Sequence, residues 1–215
     1  MPRTEARKEG AARKSVMTQA ALGFRAHSGW AVLVAVAGGP HPPVVIDRRR
    51  IEIADPALPG SKQPYHAAEG WPLGKAEKYL NQCIGRTKLL ARRAVSAVVA
   101  ELGEKGHNVV GAGILSASGR PLTTLAATLA SHALIHTAEG EFFRNALIEA
   151  SEACSVAITR VKEKELFARA AENVGTPAAN LHPLLTEMGR PLGPPWSQDE
   201  KYAALLGWLV LAAAA

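Results

Sequence analysis

Between Gly23 and Ala37 the residues GFRAHSGWAVLVAVA open with small side chains and continue as an almost unbroken apolar run. That is the pattern of a strand covered on both faces, and it predicts a central strand over the whole stretch. Gly38, Gly39, Pro40, Pro42 and Pro43 force a turn, and VVIDRRRIEI from Val44 to Ile53 alternates well enough to return as a second strand, closing a hairpin. Asp55 to Gly74 is rich in Pro and Gly and reads as an irregular connection of about twenty residues, longer than ordinary loops and of the kind that often carries function. A long helix follows, with Ala76, Leu80, Cys83, Ile84, Ala91, Ala94, Val98 and Leu102 on one side, broken at Gly103 and Gly106. Val109 to Ala117 is a short apolar run that fits a buried strand, stopped by Ser118, Gly119, Arg120 and Pro121. Leu122 to about Ala150 reads as a second helix, Ser155 to Val161 as a strand, Lys162 to Asn173 and Ala178 to Met188 as helices. Gly189 to Pro195 is a rigid stop, and the capping box Ser197-x-x-Glu200 starts the last helix. The expected fold is α/β, with a mixed sheet that opens on an antiparallel hairpin and then alternates helices and strands.

Composition agrees with a folded chain. With 215 residues, 47% hydrophobic and 20% charged, there is enough apolar surface for one ordinary domain to offset its ordering entropy. The N-terminal stretch is too polar to pack, so residues 1–20 are expected to form a basic, disordered arm and residues 21–215 the domain. Cys83 and Cys154 form no CxxC, which removes disulfide scaffolds and zinc ribbons and makes a reducing cytoplasm the default. The apolar tail from Tyr202 to Ala215 is shorter than the roughly 20 residues of a membrane span and reads as a packed helix, so no membrane partner is expected.

The net charge of +6 matters through its placement. Lys75, Lys78, Arg86, Arg92 and Arg93 fall on the side of the first long helix opposite its apolar stripe, giving it a basic back. Arg48, Arg49 and Arg50 make a further cluster that can meet phosphates by charge. The alternative is a solvated helix face and a positive turn, since no aromatic residues interleave these charges as a single-strand platform requires.

The second helix carries the densest candidate chemistry. With His132 at 0° and about 100° per residue, His136 falls near 40°, Glu139 near −20°, Phe143 near 20° and Leu125 near 20°. Two histidines and a carboxylate are thereby expected in the middle of the apolar face, where they need partners. Three outcomes follow from that pattern: a hydrogen-bonded core network or an interface between copies of the chain, a catalytic pocket, or a divalent metal held by His132, His136 and Glu139. His27 from the first strand, and Tyr65 and His66 from the PYHAAE insert at Pro64 to Glu69, are candidates to join them. GWPLGKA at Gly70 to Ala76 is too short for a phosphate loop, and GAG at Gly111 to Gly113 lies inside a strand, which excludes a dinucleotide fingerprint.

A hairpin followed by helix, strand, helix, strand and a closing helix is the element order of the ribonuclease H-like superfamily. GFRAHSGWAVL resembles the first strand of RuvC-type junction resolvases, and DEKYAALLGWLVL, from Asp199 to Leu211, resembles their last helix, where an Asp opens an alanine-rich apolar stretch. The resemblance implies a nucleic-acid partner and, in active members, carboxylates on the first strand and at the end of a later one that hold two divalent ions for phosphoryl transfer. This chain departs from that pattern. Gly23 to Ala37 and Val109 to Ala117 contain no Asp or Glu, Arg25 to Ser28 stand around the family's acidic position, and only Asp199 carries over. Asp199 also has a structural explanation, because an acid in a first helical turn complements the helix dipole.

Two function classes therefore remain. One is a non-catalytic or weakly active ribonuclease H-like domain that associates with nucleic acid through its basic surfaces. The other is an enzyme of the hydrolase class, with a pocket of His132, His136 and Glu139, His27 or His66 nearby and Asp199 as a further catalytic candidate, acting on a phosphate-containing or small polar substrate with or without a divalent metal.

Overall fold

A computed structural model of the chain describes residues 17–39, 42–116 and 122–214. The expected arm at residues 1–16 and the stop at 118–121 lie outside the described residues. Five strands form one sheet: β1 (Thr18–His27), β2 (Trp30–Ala37), β3 (Val44–Glu52), β4 (His107–Ser116) and β5 (Ile158–Lys162). Their order is β3-β2-β1-β4-β5. β2 runs antiparallel to both of its neighbours, β1 and β3, and β1, β4 and β5 run parallel, so β1 is the hinge between the two halves of the sheet.

The apolar stretch from Gly23 to Ala37, expected as one strand, is two. A tight turn at Ser28 and Gly29 reverses the chain, and His27 pairs directly across from Trp30. Gly29 sits at φ 85°, a left-handed conformation that costs a glycine little and other residues more. The first strand also begins earlier than expected, at Thr18, so Thr18 to Ala20 belong to the sheet rather than to the arm.

Helices cover both faces. On one face lie α1 (Pro64–Ala67), α2 (Leu73–Glu104), α3 (Leu125–Leu129) and α4 (His132–Ala153); on the other lie α5 (Leu166–Val174), α6 (Ala178–Gly189) and α7 (Gln198–Ala213). Even-numbered residues of β1 (Leu22, Phe24) join Leu33, Ile114, Val98, Leu102, Phe143 and Leu147 in the α2/α4 core. Odd-numbered residues face α7, with Ala21, Val34 and Leu115 in a second core built around Leu205, Leu206 and the fully buried Trp208. This is the period-two alternation of a sheet with two buried faces.

α7 lies unusually close to the sheet because glycines face it. A methyl group on Gly23 would come within 1.8 Å of the Ala203 carbonyl oxygen, and one on Gly113 within 2.9 Å of Leu206. The capping box is formed as read from the sequence: the Ser197 hydroxyl accepts from the Asp199 N–H, and Glu200 accepts from the Ser197 N–H.

The helix expected from Leu122 to Ala150 is broken. Thr124 caps α3 by accepting from the Ala127 N–H, α3 ends at Leu129, and extended Ser131 starts α4 at His132. Leu125 and Leu129 therefore belong to a different helix from His132 and do not share its face. Among the described residues no helix is long and apolar enough to cross a membrane.

Candidate functional site

The end of β1 brings together charges that are distant in sequence. Arg25 points to the α7 side. Its Nη1 donates to Glu163 Oε2 at 2.8 Å, and its Nε approaches Asp199 Oδ1 at 3.4 Å. Glu163 follows directly after β5, and Asp199 stands in the first turn of α7. A guanidinium thus bridges two carboxylates at the strand ends. Nothing in the local sequence singles out Glu163; the only signal for this arrangement is an arginine inside an otherwise apolar strand.

Two residues further on, His27 Nε2 lies 2.9 Å from Asp199 Oδ2, a distance that makes an ion pair when the ring is protonated, although its approach is too oblique for a hydrogen bond. The imidazole stacks on Trp30 with centroids 4.1 Å apart. Asp199 is therefore shared between Arg25 and His27.

On the α4 side, the histidine stripe differs from its expected burial. His132 and His136 are exposed, and the buried face of α4 is carried by Ile135, Ala138, Phe142, Phe143 and Leu147. The reason is position along the helix axis. The face that carries His132, His136, Phe143 and Leu147 meets His66 of α1 in the first turns of α4 and packs into the core further along, so the histidines stay exposed while Phe143 and Leu147 are buried.

Glu139 alone is buried, at 4% exposure. Its Oε1 accepts from the backbone N–H groups of Tyr65 and His66 at 2.8 and 3.0 Å and lies 3.2 Å from His66 Nδ1. Its Oε2 is buried without a hydrogen-bond partner among the described residues. Burial pushes the Glu139 carboxyl above its ordinary range, opposed by the His66 backbone and imidazole and by the Tyr65 backbone.

His66, His132 and His136 stand together. His132 and His136, one helical turn apart, face each other with Nε2 atoms 3.1 Å apart, and the His66 ring is edge-on to both, with centroids at 5.5 and 4.7 Å. One ligand atom from each of the three lies within 4.8 Å of the others. The converging set is thus His66, His132 and His136, with Glu139 behind His66 rather than in line with His132 and His136.

A cavity of about 230 Å³ joins the two clusters, lined by Ala26, His27, Ser28, Gln63, His66, His136, Glu139 and Gly140. Asp199 reaches it only through His27. The cleft therefore presents His27, His66 and His136; His66 is hydrogen-bonded to a carboxylate, the arrangement that orients a general base or a metal ligand, and His27 lies within ion-pair distance of Asp199.

The basic residues divide. Alternation along β3 sends Arg48 to the α7 side, where it donates to the carbonyls of Gly193 and Pro195, and sends Arg49 to the other, where it pairs with Asp47 and Glu101. Those two carboxylates hold the Arg49 guanidinium charged. Arg50 pairs with Glu52 and lies over the Trp30 ring. The Arg48 to Arg50 run is thus engaged within the domain. On α2, Lys75 rests over Trp71 and Arg86 approaches Asp55. Lys78, Arg92 and Arg93 are exposed, and no carboxylate among the described residues lies within ion-pair distance of them.

No protein-family model matches the chain, and no curated protein matches it in sequence. Solved structures do match in fold. A structure of T. thermophilus RuvC in complex with a Holliday junction substrate aligns with a TM-score of 0.53 at 10% identity, over 91% of this chain and 94% of that one. A second Thermus thermophilus RuvC structure aligns with the same score and identity over 95% of its length. The fold is ribonuclease H-like and similar to that of RuvC.

Proposed function

We propose that this protein is a ribonuclease H-fold domain that associates with nucleic acid and does not use the two-metal phosphoryl-transfer chemistry of the superfamily's nucleases. The observation that carries this reading is Arg25. In the stretch Arg25 to Ser28, around which the resemblance implies a carboxylate, the Arg25 guanidinium stands and pairs with Glu163 and Asp199. One guanidinium between two carboxylates leaves the cluster with a net negative charge and with no free carboxylate pair to hold two cations, so the attraction for a phosphodiester backbone has to come from α2. The unpaired Lys78, Arg92 and Arg93 on α2 supply that positive surface. The RuvC structure with a Holliday junction supports a branched or duplex DNA as the first probe. Anisotropy of a labelled four-way junction and of a labelled duplex, titrated with the full chain with and without magnesium, tests this. Saturable binding with no magnesium-dependent cleavage is expected; magnesium-dependent cleavage, or no binding at low salt, overturns it.

A second reading rests on the cleft between β1 and α4. His66, hydrogen-bonded to Glu139, is arranged as a general base, and His27, within ion-pair distance of Asp199, stands across the same cleft, which favours a hydrolase acting on a phosphate-containing or small polar substrate. A chromogenic phosphodiester supplies the assay. Turnover lost in His27→Ala but kept in an Arg92→Ala/Arg93→Ala variant would establish this reading in place of the first.

A further inference from the structure

We infer that His66, His132 and His136 form a binding site for a zinc-class divalent metal, with Glu139 as the carboxylate that positions His66. The argument starts from the helix. Residues one turn apart on its surface are about 5–6 Å apart at Cβ, so two imidazoles at that spacing can close on one ion. In a tetrahedral zinc site with Zn–N near 2.0–2.1 Å, ligand nitrogens sit about 3.3 Å apart. The Nε2 atoms of His132 and His136 are 3.1 Å apart. Without an ion, one of these rings must donate to the other. A cation would take the lone pairs of both.

His66 closes the third side. α1 delivers it from the Pro- and Gly-rich connection, and its Nδ1 faces Glu139 at 3.2 Å, which leaves Nε2 as its ligand atom. A carboxylate behind a histidine fixes the ring's tautomer and orientation and raises its basicity, a standard companion of metal-ligating imidazoles. Glu139 is itself anchored by two backbone N–H groups, so the third ligand is preorganised while His132 and His136, being exposed, are free to adjust. Glu139 Oε2, buried and without a hydrogen-bond partner among the described residues, is a second, independent sign of a group held in place for more than packing.

The ligand chemistry selects the metal. Three neutral imidazoles suit zinc, cobalt or nickel and do not suit magnesium or calcium, which take oxygen ligands. A three-histidine set leaves a fourth position for water or substrate. The adjacent cleft, lined by His27, Ser28 and Gln63, lies next to that position.

The test uses the untagged full chain, stripped with a chelator and titrated with zinc alone. Elemental analysis after gel filtration gives the stoichiometry, and the visible spectrum of a cobalt-loaded sample reports the coordination geometry. One equivalent of zinc, a tetrahedral cobalt spectrum, and affinity at least tenfold weaker in both His132→Ala and His66→Ala are expected. Affinity at least tenfold weaker in Glu139→Gln, with its circular dichroism unchanged, is expected for the positioning role. Substoichiometric zinc, or affinity changed less than tenfold in either histidine variant, overturns the site; an unchanged affinity in Glu139→Gln overturns the role of Glu139. His132 is exposed, so its variant keeps the fold. These readouts need no activity and no nucleic acid, so the outcome stands apart from either reading of function.

Discussion

Arg25 holds Glu163 at 2.8 Å across residues that lie 138 apart in the chain. With Asp199 on its other edge, the guanidinium is the only charge compensation for two carboxylates among the described residues at the ends of β1 and β5 other than His27. Replacing it leaves two acids facing each other. Arg25→Ala is expected to lower stability by about 1 kcal/mol, since the pair is only partly shielded from water. The variant, unlike the wild type, is expected to melt at higher temperature when millimolar magnesium or manganese is added. Differential scanning fluorimetry with and without the ions checks both effects.

The contact of Gly23 with α7 leaves no space for a side chain. Gly23→Ala would place its methyl 1.8 Å from the Ala203 carbonyl oxygen, which is backbone and cannot swing away. Overpacking of this kind costs about 3 kcal/mol or more, because the last helix must lift from the sheet. Urea denaturation is expected to show the midpoint falling accordingly. Gly74→Ala, at a position with open space around it, serves as the tolerated control.

Ser197 satisfies the first orphan N–H groups of α7 and Glu200 closes the box. Ser197→Ala is expected to destabilise the protein by about 1 kcal/mol. Ser197→Thr is expected to avoid most of that loss, because its hydroxyl both accepts from the Asp199 N–H and donates to the Glu200 carboxylate as the serine does. Thermal melts of the two variants decide it.

Arg49 donates two hydrogen bonds to Glu101 and holds its carboxyl below the ordinary value of 4.5. The unfolded chain then binds more protons than the native one between that lowered value and 4.5, so stability rises with pH through this window. The contribution is present above 4.5 and is lost as pH falls through the folded value. Urea midpoints of wild type and Glu101→Gln, measured across acid pH, are expected to differ above the window and to converge below it.

Lys78, Arg92 and Arg93 are expected to meet phosphates directly. Each removed phosphate contact lowers the slope of log affinity against log salt by about 0.9. Arg92→Ala/Arg93→Ala is therefore expected to lower the slope by about 2. Arg49→Ala is expected to change stability rather than the slope, because Arg49 is already paired. Anisotropy titrations at several salt concentrations separate the two.

The chain's own pattern determined much of this architecture. The apolar runs, the Gly- and Pro-rich connections and the Ser197–Glu200 box marked most elements and their order, because hydrophobic periodicity and capping are local properties. The His-Ser-Gly-Trp turn was hidden because β1 and β2 are both buried on two faces, so neither alternates and the two strands read as one. The break at Ser131 was hidden because apolar residues continue through it. His132 and His136 share an angular face with the buried Phe143 but lie in the first turns of α4, ahead of the stretch that packs into the core, and no angular count contains that position along the axis. His27, His66, His132, His136 and Glu139 were visible as candidates, but the convergence of His66 with His132 and His136, and the separate pairing of His27 with Asp199, were not. Arg25 and Glu163 met only through the sheet order, which sets β1 beside β4 and β4 beside β5. Local chemistry determined which residues were available. Tertiary packing decided which of them met, because burial, charge pairing and ligand convergence depend on distances between segments that the chain's order leaves open.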